Sequence, residues 1–163
     1  MNPLTAHDFY KADHKSQYPE GTEYVYSNFT ARSARLFKAK FKERNFDNKV
    51  VFFGLQYFIK SYIIDAWQRE FFTKDKDEVV YQYKRRLDNA LGKDKVDVKH
   101  IEDLHDVGYL PIKIKALSEG SRVNIGVPLF TVINSNAKFS VAQITEQKYD
   151  LSEDFKPRKY MVK

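Results

Sequence analysis

Val50-Val-Phe-Phe53, then Gly54, then Leu55-Gln-Tyr-Phe-Ile-Lys-Ser-Tyr-Ile-Ile-Asp-Ala-Trp67 is the stretch in which the chain changes period. The first four residues are β-branched or aromatic and read as a buried strand, which Gly54 breaks. Beyond the glycine, Leu55, Phe58, Ile59, Tyr62, Ile63, Ala66 and Trp67 recur at helical spacing. That spacing predicts a long amphipathic helix with one wide apolar face, ending near Phe71 or Phe72, with Trp67 in the core.

Reading outward towards the C-terminus, Asp75-Lys-Asp-Glu78 has the form of a capping box with Asp75 in the cap role. Val79, Val80, Tyr83, Leu87 and Leu91 form a second helical stripe, and Gly92 suits its end. Lys84, Arg85 and Arg86 read as a solvated face of that helix. A third short helix carries Ile101 and Leu104 and stops at Gly108. Pro111-Ile-Lys-Ile-Lys-Ala-Leu117 then alternates as a half-buried strand does. Glu119-Gly120 turns the chain into Val127-Pro-Leu-Phe-Thr-Val-Ile133, a strand that Pro128 places at an edge or a bulge.

Reading outward in the other direction, Glu23-Tyr-Val-Tyr-Ser-Asn-Phe29 is rich in β-formers and Tyr18-Pro-Glu-Gly21 reads as a turn. A short helix is expected before that turn, with Thr5 as its N-cap. The order is helix, strand, basic loop, strand, two or three helices, then two strands. It predicts an α+β fold: a small mixed β-sheet with a central group of two or three helices. Residues 1–134 form the expected domain. Residues 135–163 are irregularly spaced in apolar content and basic at the end, and read as a polar, basic tail that packs weakly or not at all.

With 163 residues, 42% hydrophobic and 31% charged, the chain has the size and composition of one globular domain able to bury a core. It is too short for a complete (β/α)8 barrel, which takes about 250 residues. Without cysteine it holds no disulfide, thiolate zinc site or thiol nucleophile, and a reducing cytoplasm is the natural reading. No apolar run approaches the roughly 20 residues of a spanning helix, and residues 1–8 lack the basic and apolar regions of a secretory signal. No membrane association is expected.

The net charge of +6 is unevenly spread. Between Arg32 and Lys49 lie seven basic and two acidic residues, with Phe37, Phe41 and Phe46 among them. This segment reads as a solvated loop or short helix docked by its phenylalanines, or as a site for a small phosphorylated ligand. Aromatics among cations also suit a nucleic-acid strand, but neither zinc-finger spacing nor an RNP aromatic pair accompanies them. His100 and His105, five apart, point to different faces of a helix and suit no shared metal, and Glu102, Asp103 and Asp106 read as a solvated helix end. Glycine-rich phosphate loops and the G-x-S-x-G elbow are both missing. Spacing alone therefore identifies no catalytic residue and no metal site.

Several blocks, taken in order, resemble one family. Asp8-Phe-Tyr10-Lys11-Ala-Asp-His14-Lys-Ser-Gln17-Tyr18-Pro19 is similar to the opening motif of nicotinamide phosphoribosyltransferases, as is Tyr24-Val-Tyr-Ser-Asn-Phe29 followed by Arg32. Val51-Phe-Phe-Gly54-Leu-Gln-Tyr57 resembles that family's strand-to-helix junction. Leu110-Pro-Ile-Lys-Ile-Lys-Ala116, Glu119-Gly120 and Gly126-Val-Pro-Leu-Phe-Thr-Val-Ile-Asn134 continue the match in register. After Asn134 the likeness ends, and the family's catalytic α/β barrel has no counterpart.

The resemblance implies the N-terminal part of the family's non-barrel domain. It implies an enzyme that joins nicotinamide to phosphoribosyl pyrophosphate, giving nicotinamide mononucleotide and pyrophosphate on the salvage route to NAD. The complete family enzyme is expected to use magnesium and to work as a dimer, each site completed by the neighbour's N-terminal segment. Tyr10 matches the tyrosine that stacks on the nicotinamide ring, a role suited to a flat aromatic face. Arg32 matches the arginine that reaches substrate phosphate, for which a guanidinium fork is suited. Asp8 is expected to orient the Tyr10 segment. The chain is thus expected to be inactive by itself, with a second copy or a chain supplying the barrel as its partner; nicotinamide and phosphoribosyl pyrophosphate would bind only in a completed site. Two other readings stand beside this one: a regulatory protein that docks on an intact phosphoribosyltransferase, and a nucleic-acid module using residues 32–49.

Overall fold

Tyr24–Ala31 (β1) is built almost wholly from aromatic, β-branched and small residues, and it becomes an inner strand of the main sheet. The computed structural model describes residues 2–6, 12, 17–35, 47–139 and 155–162. Its other strands are Lys49–Val51 (β2), Ile112–Ala116 (β3), Arg122–Asn124 (β4), Pro128–Asn134 (β5) and Phe155–Val162 (β6). The main sheet runs β3-β5-β1-β6, β2 and β4 form a separate two-stranded ribbon, and every pair is antiparallel. With the helices below, this is the expected α+β class.

Register decides which side chains share a face. Phe29 lies opposite Phe130, and Ile114 opposite Val132, so Phe29, Phe130, Val132 and Ile114 stand on one side of the sheet. The Phe29 and Phe130 rings stack at 4.8 Å. The pairing of β1 with β5 then shifts, and Thr30 lies opposite Pro128. Proline cannot donate a ladder hydrogen bond, and the shift leaves Leu129 as the extra residue of a bulge. Pro128 therefore sits where its sequence context places it. Leu129 is buried in a cluster with Phe52 and Leu55.

The central helices follow. Residues 55–72 form α1, which begins as Leu55–Phe58 and continues through the wider π turns Ile59–Ala66 and Gln68–Phe72. Gly54 precedes it at φ 92°, a conformation that costs other residues a Cβ clash. Lys76–Leu91 is α2 and Lys99–Val107 is α3. Asp75 caps α2, accepting the Glu78 N–H at 3.0 Å, while the Glu78 carboxylate takes Gln82. Gly92 and Gly108 end the two helices with positive φ.

These helices close the larger core, in which Trp67, Phe71, Tyr83, Leu87, Ile101 and Leu104 are all almost fully buried. Ile112 reaches this core from the sheet, whereas Ile114 faces the smaller Phe52 cluster. Phe139 is also buried in the larger core, so the stretch after Asn134 packs at that point, and β6 runs backbone to backbone along all of β1.

Three local expectations change. Val50–Phe53 is not a buried strand: only Phe52 is buried, and Phe53 is 82% exposed. The ribbon of β2 and β4 has one covered face, so alternate residues turn outward. Thr5 is not an N-cap; Asn2 caps a single turn at Pro3–Thr5, its Oδ1 accepting the Leu4 N–H at 3.0 Å. Pro3 favours the first position of that turn, which puts the cap one residue before it. Arg86 is not solvated, because its guanidinium donates to the Thr5 carbonyl and ties the N-terminal turn to α2.

Candidate functional site

Of the three residues singled out for substrate contact, Asp8 and Tyr10 lie outside the described residues. Arg32 is described. It follows Ala31 at the end of β1, where the chain passes from buried to exposed.

The backbone beneath Arg32 is held on two sides. The Gly126 N–H donates to the Ala31 carbonyl at 2.8 Å, and the Ile125 N–H donates to the Asn48 carbonyl at 2.8 Å. These bonds tie the end of β1 and the start of β2 to the turn between β4 and β5. Thr30, which is 1% exposed, donates its hydroxyl to Asn28 Oδ1 at 2.7 Å, so the last buried side chains of β1 are internally satisfied. Ser33 Oγ accepts the Arg35 N–H at 3.0 Å and turns the chain after the strand.

The β2–β4 ribbon brings Arg122 to the segment that carries Asp47 and Lys49. Arg32, Arg35, Lys49 and Arg122 all belong to this end of the fold, by way of the β1 terminus and the β2–β4 ribbon. Arg122 pairs with the Asp47 carboxylate, which also accepts the Lys49 N–H at 3.2 Å. Among the described residues Arg32 enters no ion pair. A guanidinium on a fixed strand end, exposed and without a carboxylate partner, suits an oxyanion approached from outside. Lys49 is legible in the same basic segment as Arg32, but Arg122 is not legible as a member of this group: β4 is three residues long and lies more than seventy residues from β2.

The other titratable cluster is structural. Asp103 accepts Lys99 and Lys138, each at 3.0 Å, and Asp106 accepts Lys76 at 2.8 Å. Hydrogen bonds from those lysines hold both carboxyls below the usual aspartate range, the opposite of what a general acid needs. The His105 ring packs edge-on against Phe71 at 5.1 Å, with Nε2 3.0 Å from the Lys74 carbonyl. Among the described residues no three His, Asp or Glu side chains converge as a metal site. No described helix is long and apolar enough to cross a membrane.

Residues 2–114 match the family described as "Nicotinamide phosphoribosyltransferase, N-terminal domain". A curated protein of Acinetobacter baylyi (strain ATCC 33305 / BD413 / ADP1), named nicotinamide phosphoribosyltransferase, is 61% identical over 139 residues. The alignment covers 85% of this chain and 27% of the relative, so the chain spans about a quarter of that protein's length.

Proposed function

The chain belongs to the nicotinamide phosphoribosyltransferase family, and from that premise we propose that it acts as the N-terminal portion of such an enzyme. The reaction joins nicotinamide to phosphoribosyl pyrophosphate, with pyrophosphate leaving as nicotinamide mononucleotide forms. By itself the chain is inactive, since it supplies contacts to substrate and not the barrel that surrounds the reacting atoms.

In this reading Arg32 reaches a phosphate group of substrate held mainly by another polypeptide, in a dimer or a two-chain assembly. Tyr10 stacks on the pyridine ring and Asp8 orients the Tyr10 segment. The setting in this reading is cytoplasmic. The observation that carries the reading is the exposed Arg32, without an ion pair among the described residues, on a strand end held by the bond from Gly126 to Ala31. A phosphate contact of this kind needs a rigid base and a side chain with no competing anion.

Mixing tests it. The purified chain, a polypeptide covering the remaining length of the Acinetobacter relative, and the two together are each assayed for nicotinamide mononucleotide. Product from the mixture alone is the expected result. Turnover by the isolated chain, or none from a mixture whose second component is shown to be folded, overturns the reading.

A further inference from the structure

Strand β1 uses its two edges with alternate residues. The Val25 N–H donates to Asn134 Oδ1 at 2.8 Å, and the Ala31 carbonyl accepts the Gly126 N–H at 2.8 Å, so the backbone groups of its odd-numbered residues point to the β5 side. Within a strand the N–H and C=O of one residue point the same way, and the direction reverses at the next. The backbone groups of Tyr24, Tyr26, Asn28 and Thr30 therefore point to the other edge, where β6 lies.

Register then fixes which way each residue of β6 faces. Tyr24, Tyr26, Asn28 and Thr30 lie opposite Val162, Tyr160, Arg158 and Lys156, so these four are the pairs that exchange hydrogen bonds. Pro157 lies opposite Phe29, in the alternate set, and its backbone nitrogen faces away from β1. The one residue of β6 without an N–H thus costs the ladder nothing. It leaves a gap on the outer edge, where a further strand would need a donor.

The two strands also differ in composition. Tyr24–Ala31 contains no charged residue, no proline and no glycine. A bare edge of that kind is a template for strands of other chains. Phe155–Val162 carries Lys156, Arg158 and Lys159 beside Pro157, the residue types with which natural sheets blunt an edge. We propose that the edge of β1 facing β6 is a strand-accepting site and that residues 155–162 are its built-in occupant. They act as a guard strand, holding the edge against foreign strands and ending the sheet at Pro157.

Amide hydrogen exchange of the intact chain, followed by NMR, reads the guard directly. Tyr26, Asn28 and Thr30 are expected to exchange slowly, as are Ser27 and Phe29, whose N–H groups face β5. Tyr160→Pro removes a donor that faces β1. It is expected to speed exchange at Tyr26, Asn28 and Thr30 by about tenfold or more, while Ser27 and Phe29 stay slow and show that the fold is kept. Tyr160→Ala keeps the N–H, and Lys159→Pro loses one that faces outward, so both are expected to change these rates far less. In sedimentation velocity the Tyr160→Pro chain is expected to form larger assemblies than the unsubstituted chain at equal concentration. Fast exchange at Tyr26, Asn28 and Thr30 in the unsubstituted chain overturns the proposal. So does equal opening by Lys159→Pro and Tyr160→Pro, loss of protection at Ser27 and Phe29 along with the rest, or a bared edge that gathers no other chain.

Discussion

Glu119 Oε1 accepts the backbone N–H of Gln56 at 2.7 Å, across 63 residues of chain. Gly54, which precedes α1, has no side chain to cap the helix, and the four leading N–H groups of any helix need partners. The carboxylate from the turn after β3 supplies one, and it sets negative charge at the positive end of the helix dipole. Glu119→Ala should therefore cost about 1 kcal/mol, the usual worth of a cap, and Glu119→Gln less, because its amide oxygen still accepts. Urea unfolding of the three proteins checks the order; equal midpoints would mean that water replaces the carboxylate at no cost.

Asn134 makes a second long-range clamp. Its Oδ1 accepts the Val25 N–H at 2.8 Å, and its Nδ2 donates to the Glu23 and Asn136 carbonyls at 2.9 and 2.8 Å. The side chain is buried, so both its donors and its acceptor are used away from water. Asn134→Asp keeps the acceptor but faces two carbonyls with a group that cannot donate to both. Asn134→Leu removes all three bonds. Each is expected to cost on the order of 2–4 kcal/mol, since partners are left unsatisfied in the interior. Thermal denaturation measures this, and a loss below half a kilocalorie would show that the strand ends find other partners.

Much of this architecture is legible in residue spacing, and the exceptions share a cause. The helix starting after Gly54, the α2 stripe with its Asp75 cap, and the α3 end at Gly108 are local patterns, set by residues three or four apart. The bulge at Pro128 follows from a missing donor, which is also local. What spacing does not show is which face of β2 is covered, because that depends on β4, a partner of three residues more than seventy positions away. Val50–Phe53 therefore looks like a buried strand in sequence while Phe53 stands in solvent. The same limit applies to the site. Arg32 is recognisable through its motif and shares a basic segment with Lys49, but Arg122 joins that end of the fold only when Asn48 and Ala31 bond the same turn.

The α3 ion pairs give the fold a defined acid response. Asp103 and Asp106 sit below the ordinary aspartate pKa because Lys138, Lys99 and Lys76 hydrogen-bond their charged forms. A carboxyl depressed in the folded state binds its proton more readily in the unfolded chain, so its stabilisation is complete above about pH 4 and is lost as pH falls through the folded value. Asp106 is exposed and Asp103 half-buried at the surface, so the effect is modest and weakens with salt. The melting temperature should thus decline below about pH 4, and D103N/D106N should show a shallower decline in this window. Parallel curves for the two proteins between pH 2 and 5 would refute the assignment. The partner lysines Lys99 and Lys76 are shifted upward by the same bonds, so a second loss is expected on the alkaline side as they deprotonate.

Arg32 is where structure and proposed chemistry can be separated. Its side chain is exposed and enters no ion pair among the described residues, so Arg32→Ala should leave the melting temperature of the chain unchanged within about a degree, as surface substitutions generally do. If the proposed function holds, the same change in the completed two-chain assembly removes a charge-assisted phosphate contact worth about 1.5–3 kcal/mol. That corresponds to a fall of roughly ten- to hundredfold in kcat/KM for phosphoribosyl pyrophosphate. Arg32→Lys keeps the charge and loses the planar fork, and an intermediate value is expected. Nicotinamide saturation should change far less than phosphoribosyl pyrophosphate saturation, because the guanidinium addresses phosphate and not the ring. Steady-state kinetics of the three assemblies with each substrate varied in turn decides it. An Arg32→Ala assembly that kept its full kcat/KM for phosphoribosyl pyrophosphate would remove Arg32 from the site.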